Sequence, residues 1–262
     1  NRLDLSIKSL SRDRLLEVWP LILQTNTRDW ISDNVTSATL LNVAGALRST
    51  PGKPPHLRVG FDLSALALRF LKTLPPIENG VGYGVIDDMR LDLVLQSGNL
   101  TAPDGDKVEL DGTTFHIPDM SLKPATAEVH LKTRSPIKAL LTVLDLPPFQ
   151  FMTKARVGVD IAAGNVATDG SITLPLLKDV TFDQVALSIN GRFSDVSTDK
   201  LVKGKVLRAT MLNAYVDNQG LTISGDGHLG QVGISGVWQQ QFGPDQRGKS
   251  KLDAKVEISS AF

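Results

Sequence analysis

The stretch LRVGFDL at residues 57–63 sets Leu57, Val59, Phe61 and Leu63 at every second position, with Arg58, Gly60 and Asp62 between them. Successive side chains of an extended strand point to opposite faces, so this spacing makes a strand with one apolar and one polar side. Outward from it the same period recurs in Leu91/Leu93/Leu95, Val129/Leu131, Val157/Val159/Ile161, Val185/Leu187/Ile189 and Leu221/Ile223. Asn79-Gly80, Asp104-Gly105, Asp111-Gly112, Asp169-Gly170 and Asn190-Gly191 punctuate these runs. Such pairs supply the positive φ of tight hairpin turns and predict antiparallel neighbours in a meander. The expected fold class is all-β.

Composition narrows what such a sheet can do. The 28 Lys and Arg of this 262-residue chain balance its 28 Asp and Glu, so no overall field draws in nucleic acid, and none is expected as a partner. Hydrophobic residues reach 41% while aromatics hold at 5%, so aliphatic side chains carry the apolar content. The absence of Cys excludes disulfides and thiol chemistry. No apolar run approaches the roughly 20 residues of a membrane-spanning helix. The sequence opens inside one alternating stretch (Leu3, Leu5, Ile7) and closes inside another (Leu252, Ala254, Val256, Ile258), so both ends are expected to cut through a longer sheet.

Two segments carry helical spacing, near residues 11–35 and 135–146. In the first, Ser11 is the expected N-cap, and Leu15, Leu16, Trp19 and Ile22 share a face until Pro20 disturbs it; Thr27 then caps a turn bearing Trp30 and Ile31. In the second, Ser135 is the expected cap and Pro136 the first helical residue. Ile137, Leu140, Leu141 and Leu144 follow as one stripe before Pro147-Pro148. A shift of 124 residues superposes the two settings, matching Leu5 with Val129, Ile7 with Leu131, Lys8 with Lys132, Ser11 with Ser135 and Leu16 with Leu140. The expected organisation is one continuous β section over 1–262, built of two repeats, 1–124 and 125–262.

Catalytic chemistry finds little support. None of His56, His116, His130 and His228 has a second His or a carboxylate at ligand spacing, so they read as solvated surface groups, and no metal or other cofactor is expected. No G-x-S-x-G elbow marks a nucleophile. The Asp104–Gly112 stretch lacks the ligand spacing of a calcium loop, and two turns flanking a strand explain it better. Gly225, Gly227, Gly230, Gly233 and Gly236 are interleaved with Ile234, Val237 and Trp238 with no helix following; they fit bulges, turns or close packing better than a phosphate cradle. The chain reads as a non-enzyme. Its apolar strand faces are either the core of a sandwich or the floor of an open trough.

Five segments, in order, carry a family likeness. WPLILQTNTRDWISDNV (19–35) resembles the "WP … R-x-W-(I/V)-x-x-N-V" signature of the AsmA-like proteins of the YhdP type. FDLSALALRFLKTLPPIENGVG (61–82), IPDMSLKPATAEVHLKTRSPIKALLTVLDLPP (117–148), LPLLKDVTFDQV (174–185) and GLTISGDGHLGQVGISGVWQQQF (220–242) fit the same family, which is related to TamB. Residues 196–205 depart from it, being more charged than the hydrophobic link expected there. The resemblance implies a twisted antiparallel β-groove, taco-like, in a bridge-like lipid transfer protein of the Gram-negative envelope. Such a protein is anchored in the inner membrane by segments outside this chain, extends through the periplasm, and carries phospholipid or another acyl lipid towards the outer membrane. The groove would be lined by the alternating residues given above, together with Val256 and Ile258. The stripe Ile137/Leu140/Leu141/Leu144 would serve as lid or side wall. The alternative is a structural or adhesive scaffold whose apolar faces are its core.

Overall fold

An extended segment leaves its backbone N–H and C=O groups unpaired, and here each satisfies them by lying against its sequence neighbour. The structure is a computed structural model and describes residues 1–19, 25–177, 179–246 and 249–257. Fourteen strands follow in chain order: β1 (Arg2–Ser11), β2 (Val35–Arg48), β3 (His56–Leu68), β4 (Ile77–Asp87), β5 (Arg90–Thr101), β6 (Lys107–Glu109), β7 (Thr113–Ile117), β8 (Thr126–Pro136), β9 (Ala163–Pro175), β10 (Ala186–Val202), β11 (Lys205–Asp217), β12 (Gly220–Leu229), β13 (Val232–Gln241) and β14 (Ser250–Glu257). Strand order is sequence order, except that β7 pairs with β5 and β8 beside the main path. The chain is thus the all-β, mostly antiparallel meander that the alternation predicts. Four short helices accompany it: α1 (Arg12–Val18), α2 (Thr25–Asn34), α3 (Ile137–Leu144) and α4 (Phe151–Ala155). None is long and apolar enough to cross a membrane.

The contacts divide into two compact units. One comprises Asn1–Leu100, Glu109–His130 and Thr173–Thr181; the other comprises Thr101–Val108, Leu131–Ile172 and Phe182–Phe262. A strand runs into two helices and then a strand twice, as β1-α1-α2-β2 and as β8-α3-α4-β9.

Several local expectations are corrected. Asp104-Gly105 and Asp111-Gly112 form turns, but Asn79-Gly80, Asp169-Gly170 and Asn190-Gly191 lie inside β4, β9 and β10. Glycine serves two of these sites through space: a Cβ on Gly170 would meet the Ser188 carbonyl oxygen, and one on Gly80 would lie 2.8 Å from Leu66 Cβ. The hairpins turn instead at Asp88-Met89, Lys203-Gly204, Asn218-Gln219 and Gly230-Gln231, with φ of 52° at Asp88, 72° at Gly204 and 66° at Gly230. Val157, Val159 and Ile161 form no strand. Gly158 and Asp160, which occupy the polar positions of that alternation, act as turn residues, with Ile161 N donating to Gly158 O at 3.2 Å. Val185 also lies just before β10 rather than in it.

Ser11 caps α1 as expected, its Oγ accepting from Arg14 N at 3.4 Å. Thr27 does not cap, because α2 already runs from Thr25. Ser135 does not cap either: β8 continues through Pro136, which stands at the N-cap of α3, and the Ser135 hydroxyl is buried without a hydrogen-bond partner. Pro20, Ile22 and Ile258 lie outside the described residues.

The strand β4 sets the local form of the first unit. Gly80, Gly82 and Gly84 occupy one of its faces and are buried, whereas Val81 and Tyr83 on the other are 42% and 43% exposed. A Cβ on Gly84 would lie 2.5 Å from both Leu93 Cδ2 and Phe61 Cζ, and one on Gly82 would collide with the Val94 carbonyl oxygen. Side chains from β3 and β5 therefore close over the Gly80–Gly84 stretch of β4, which contributes none of its own before Ile86. Gly82→Ala is expected to lower unfolding free energy by about 2 kcal/mol through overpacking. Gly60→Ala, where a Cβ meets nothing within 4 Å, should change it by no more than roughly 0.5 kcal/mol. Urea denaturation of the two variants measures both.

Candidate functional site

Antiparallel register lines up alternating residues of successive strands into rows that run across the sheet. In the first unit, one face carries Leu5–Gly45–Val59–Ile86–Leu91–Ile117, then Phe61–Gly84–Leu93–Phe115–Val129, then Leu40–Leu63–Gly82–Leu95–Thr113. The opposite face carries Arg58–Asp87–Arg90, Val85–Asp92–His116–Glu128 and Asp62–Tyr83–Val94–Thr114–His130. Apolar and polar groups are thus sorted by face across β3, β4, β5, β7 and β8, with Val81, Val85 and Val94 among the aliphatic exceptions on the polar side.

The second unit repeats the sorting. Its apolar rows are Ile189–Val216–Leu221, Gly191–Ala214–Ile223–Trp238–Leu252 and Phe193–Leu212–Gly225–Gly236–Ala254, followed by Gly227–Ile234–Val256. Behind them run Asn190–Tyr215–Thr222–Gln239–Lys251 and Arg192–Asn213–Ser224–Val237–Asp253. The helix α3 covers part of the apolar face. Ile137, 3% exposed, packs with Val166 of β9, Val196 of β10 and Ala209 of β11, and Leu140, Leu141, Phe193 and Leu212 close around that cluster.

Away from α3 the rows are mostly half-buried, although Ile117, where one of them reaches β7, is 7% exposed, and on β1 and β14 they are open. Leu252 and Val256 are 66% and 55% exposed; Leu3 and Leu5 are 64% and 56% exposed. No large side chain among the described residues is fully buried. A face packed against a second layer would bury its leucines and valines outright. This one presents them.

Most of the residues singled out from sequence fall on these rows. Leu57, Val59, Phe61 and Leu63 share the face with Leu91, Leu93, Leu95 and Val129, and Leu131 follows on the same side of β8, half-buried. Ile189, Leu221, Ile223 and Val256 lie on the second unit's apolar face; Leu187, two residues before Ile189 on β10, shares its side. Of the helix stripe, Ile137, Leu140 and Leu141 meet the sheet, while Leu144 ends α3 half-buried. Val157, Val159, Ile161 and Val185 are on no strand. Sequence reasoning missed Ile86, Phe115, Ile117 and Val216, and assigned Trp238 no place on this face. Their strands are interrupted by glycines or polar residues, and only cross-strand register reveals their side.

Comparison of the chain with family models, with curated proteins and with solved structures finds no match.

The polar face has chemistry of its own. His56 and His116 are not simply solvated, because pairing brings carboxylates that are remote in sequence to their rings. His116 Nδ1 lies 2.7 Å from Asp92 Oδ1. His56 Nδ1 lies 2.7 Å from Asp88 Oδ2 and its Nε2 lies 3.5 Å from Asp87 Oδ1, so His56, Asp87 and Asp88 offer three potential ligand atoms within 4.8 Å. Both ring nitrogens face carboxylates, which makes the group a charge clamp at the β4–β5 turn. The hydrogen bond to Asp88 holds the imidazole above its ordinary value of 6.5, aided by the charges of Asp88 and Asp87 and opposed by burial and Arg58. The same bond, with the Leu57 amide, holds Asp88 below 3.8.

A raised imidazole contributes stability that is complete below 6.5 and is lost as pH rises through its folded value. The depressed carboxylate contributes stability that is present above 3.8 and is lost as pH falls through its own folded value. The clamp is therefore most effective between those two limits. The difference in melting temperature between wild type and His56→Gln should be largest at about pH 5.5 and shrink towards about pH 8.5. A difference that does not vary with pH would dismiss the clamp.

Proposed function

We propose that this chain is a non-enzymatic section of a lipid-transfer protein, whose apolar sheet face shields acyl chains while phospholipid, or another acyl lipid, passes between membranes. The observation that carries the reading is the sorting of each unit's sheet into apolar and polar faces, with most of the apolar side chains in the rows left half-buried. Two acyl chains expose on the order of 30 methylenes, and at ~0.8 kcal/mol each their bare passage through water would cost about 25 kcal/mol. A floor of Leu, Val and Ile removes most of that barrier. Its contacts are non-directional, so no single position pins the lipid. The polar face keeps the sheet wetted, and the headgroup stays in water. The likeness of five ordered segments to AsmA-like proteins of the YhdP type supports the same cargo. It also supports a periplasmic setting in a Gram-negative envelope, with the inner-membrane anchor supplied from outside this chain.

The second reading is a structural or adhesive scaffold whose apolar faces are core, and one observation favours it: the cluster beneath α3 is buried as a core is buried. Trp238 separates the two. It lies in the row Ile223–Trp238–Leu252, and the other tryptophans, Trp19 and Trp30, are part of no strand. In a Trp19→Phe, Trp30→Phe background, phosphatidylglycerol brominated on its acyl chains should quench Trp238 fluorescence. Ile223→Asp should weaken that binding about tenfold or more by placing a charge among the acyl contacts, with the β-type circular dichroism retained. Absence of quenching, together with no acyl lipid recovered by extraction of the purified chain, would favour the scaffold.

A further inference from the structure

Three side chains from β3, β4 and the turn after β4 converge on one spot of the polar face. His56 opens β3, Asp87 closes β4 and Asp88 follows it, and one potential ligand atom from each lies within 4.8 Å of the others. The two carboxylates meet the imidazole in different ways. Asp88 Oδ2 stands 2.7 Å from Nδ1, and because a carboxylate only accepts, Nδ1 is the donor. The other oxygen of Asp88 accepts from the Leu57 amide at 2.8 Å, so this carboxyl is fixed from two sides. Asp87 Oδ1 stands 3.5 Å from Nε2, beyond the roughly 2.7–3.2 Å of an N–H···O hydrogen bond. Two ligands each about 2.1 Å from one zinc ion, at the tetrahedral angle, are about 3.4 Å apart. The spacing of Nε2 and Asp87 Oδ1 is therefore that of two ligands on one ion.

We infer that His56 Nε2 and Asp87 Oδ1 bind a divalent first-row transition ion such as Zn²⁺, with Asp88 as the positioning carboxylate behind the imidazole and water completing the coordination. A ligating imidazole ordinarily donates its second N–H to a carboxylate, which fixes the tautomer and makes the ligating nitrogen more basic. An imidazole–carboxylate pair suits zinc, nickel or copper better than magnesium or calcium, which take oxygen ligands. The nearby cations leave Asp87 to this role. Arg48, across from His56 on β2, reaches Asp4 Oδ1 at 2.7 Å, and Arg90, across from Asp87 on β5, reaches Asp92 at 2.8 Å. Arg58 lies across from Asp87 on β3 but forms no ion pair with it among the described residues. The side chains of His56 and Asp87 are 53% and 36% exposed, so an ion reaches them from water without displacing any core residue. It stands where the Nε2 proton of the clamp would point, and it ties β3 to β4 through the same two groups. His116 and Asp92 repeat the Nδ1–carboxylate half of the arrangement at 2.7 Å, yet they join no such three-residue group among the described residues.

Zinc chloride titrated into the untagged chain at about pH 8, above the ordinary imidazole value, should bind with one-to-one stoichiometry in isothermal titration calorimetry, and magnesium chloride over the same concentrations should not bind. Asp87→Asn keeps the hydrogen bond between Asp88 and His56 and so should stay folded by circular dichroism. It should weaken zinc binding at least tenfold, and Asp88→Asn should weaken it about 10- to 100-fold, the usual effect of removing the carboxylate behind a ligating histidine. His116→Gln should leave the affinity unchanged. Long-range proton–nitrogen NMR of the imidazoles provides a readout free of any substitution: zinc should shift the Nε2 resonance of His56 and leave those of His116 in place. Absence of zinc binding, equal binding of magnesium, or an affinity unaltered in Asp87→Asn would overturn the site. Zinc shifts of equal size at His56 and His116, or an equal loss of affinity in His116→Gln, would do the same.

Discussion

A slip of one residue in any hairpin of this chain would turn every aliphatic side chain of a strand onto the charged face, and this constraint governs the rest. Hydrogen bonding alone would tolerate the slip, because the backbone ladder does not distinguish the faces. Sorting by side chain does distinguish them, and it is enforced even where the ladder is irregular. In β2 the register against β3 shifts between Leu41 and Ala44, beside Asn42 with φ of 51°, and the apolar parity changes from Gly45 and Leu47 to Leu40. In β10 the parity changes at Asp195, whose φ is 54°, and this brings Val196 beneath α3. These residues adopt a backbone conformation that non-glycine residues rarely take, so the changes of parity cost free energy. They keep the face continuous where a regular ladder would have inverted it.

The same face serves as core in one place and as surface in another. Where α3 lies on β9, β10 and β11, Val166, Val196 and Ala209 fall to between 3% and 6% exposure. Three strands beyond β11, Leu252 stands open although its row is continuous with Ala214 of β11. Stability is thus anchored under the helix and carried outward by cross-strand pairs. Such pairs contribute a few tenths to about 1 kcal/mol each and do not require complete burial.

The fold class was legible because alternation is a property of the chain, readable without any partner. What the sequence concealed was register. The Asn-Gly and Asp-Gly pairs at 79, 169 and 190 have the composition of turns. Two of their glycines, Gly80 and Gly170, are instead required by a neighbouring strand that approaches too closely for a Cβ, a requirement local sequence cannot express. Val157, Val159 and Ile161 have the right period, but three apolar residues separated by Gly158 and Asp160 are equally a turn after a short helix. The carboxylates beside His56 and His116 are 24 or more residues away in sequence, and only the β3–β4–β5–β7 pairing brings them near. Of the candidate surface, the strand centres were legible. The side chains reached through glycine-interrupted strands, Ile86 and Trp238 foremost, were not.

Over β4 the most constrained positions of the first unit carry no side chain. The room above Gly80, Gly82 and Gly84 is already filled by Leu66, Phe61 and Leu93 and by the backbone at Val94. A survey of function that truncates side chains one at a time would register the leucines and pass over the glycines, since nothing remains there to remove. Variation that adds atoms reads them instead, and by that measure this strand should tolerate less change than any of its bulkier neighbours.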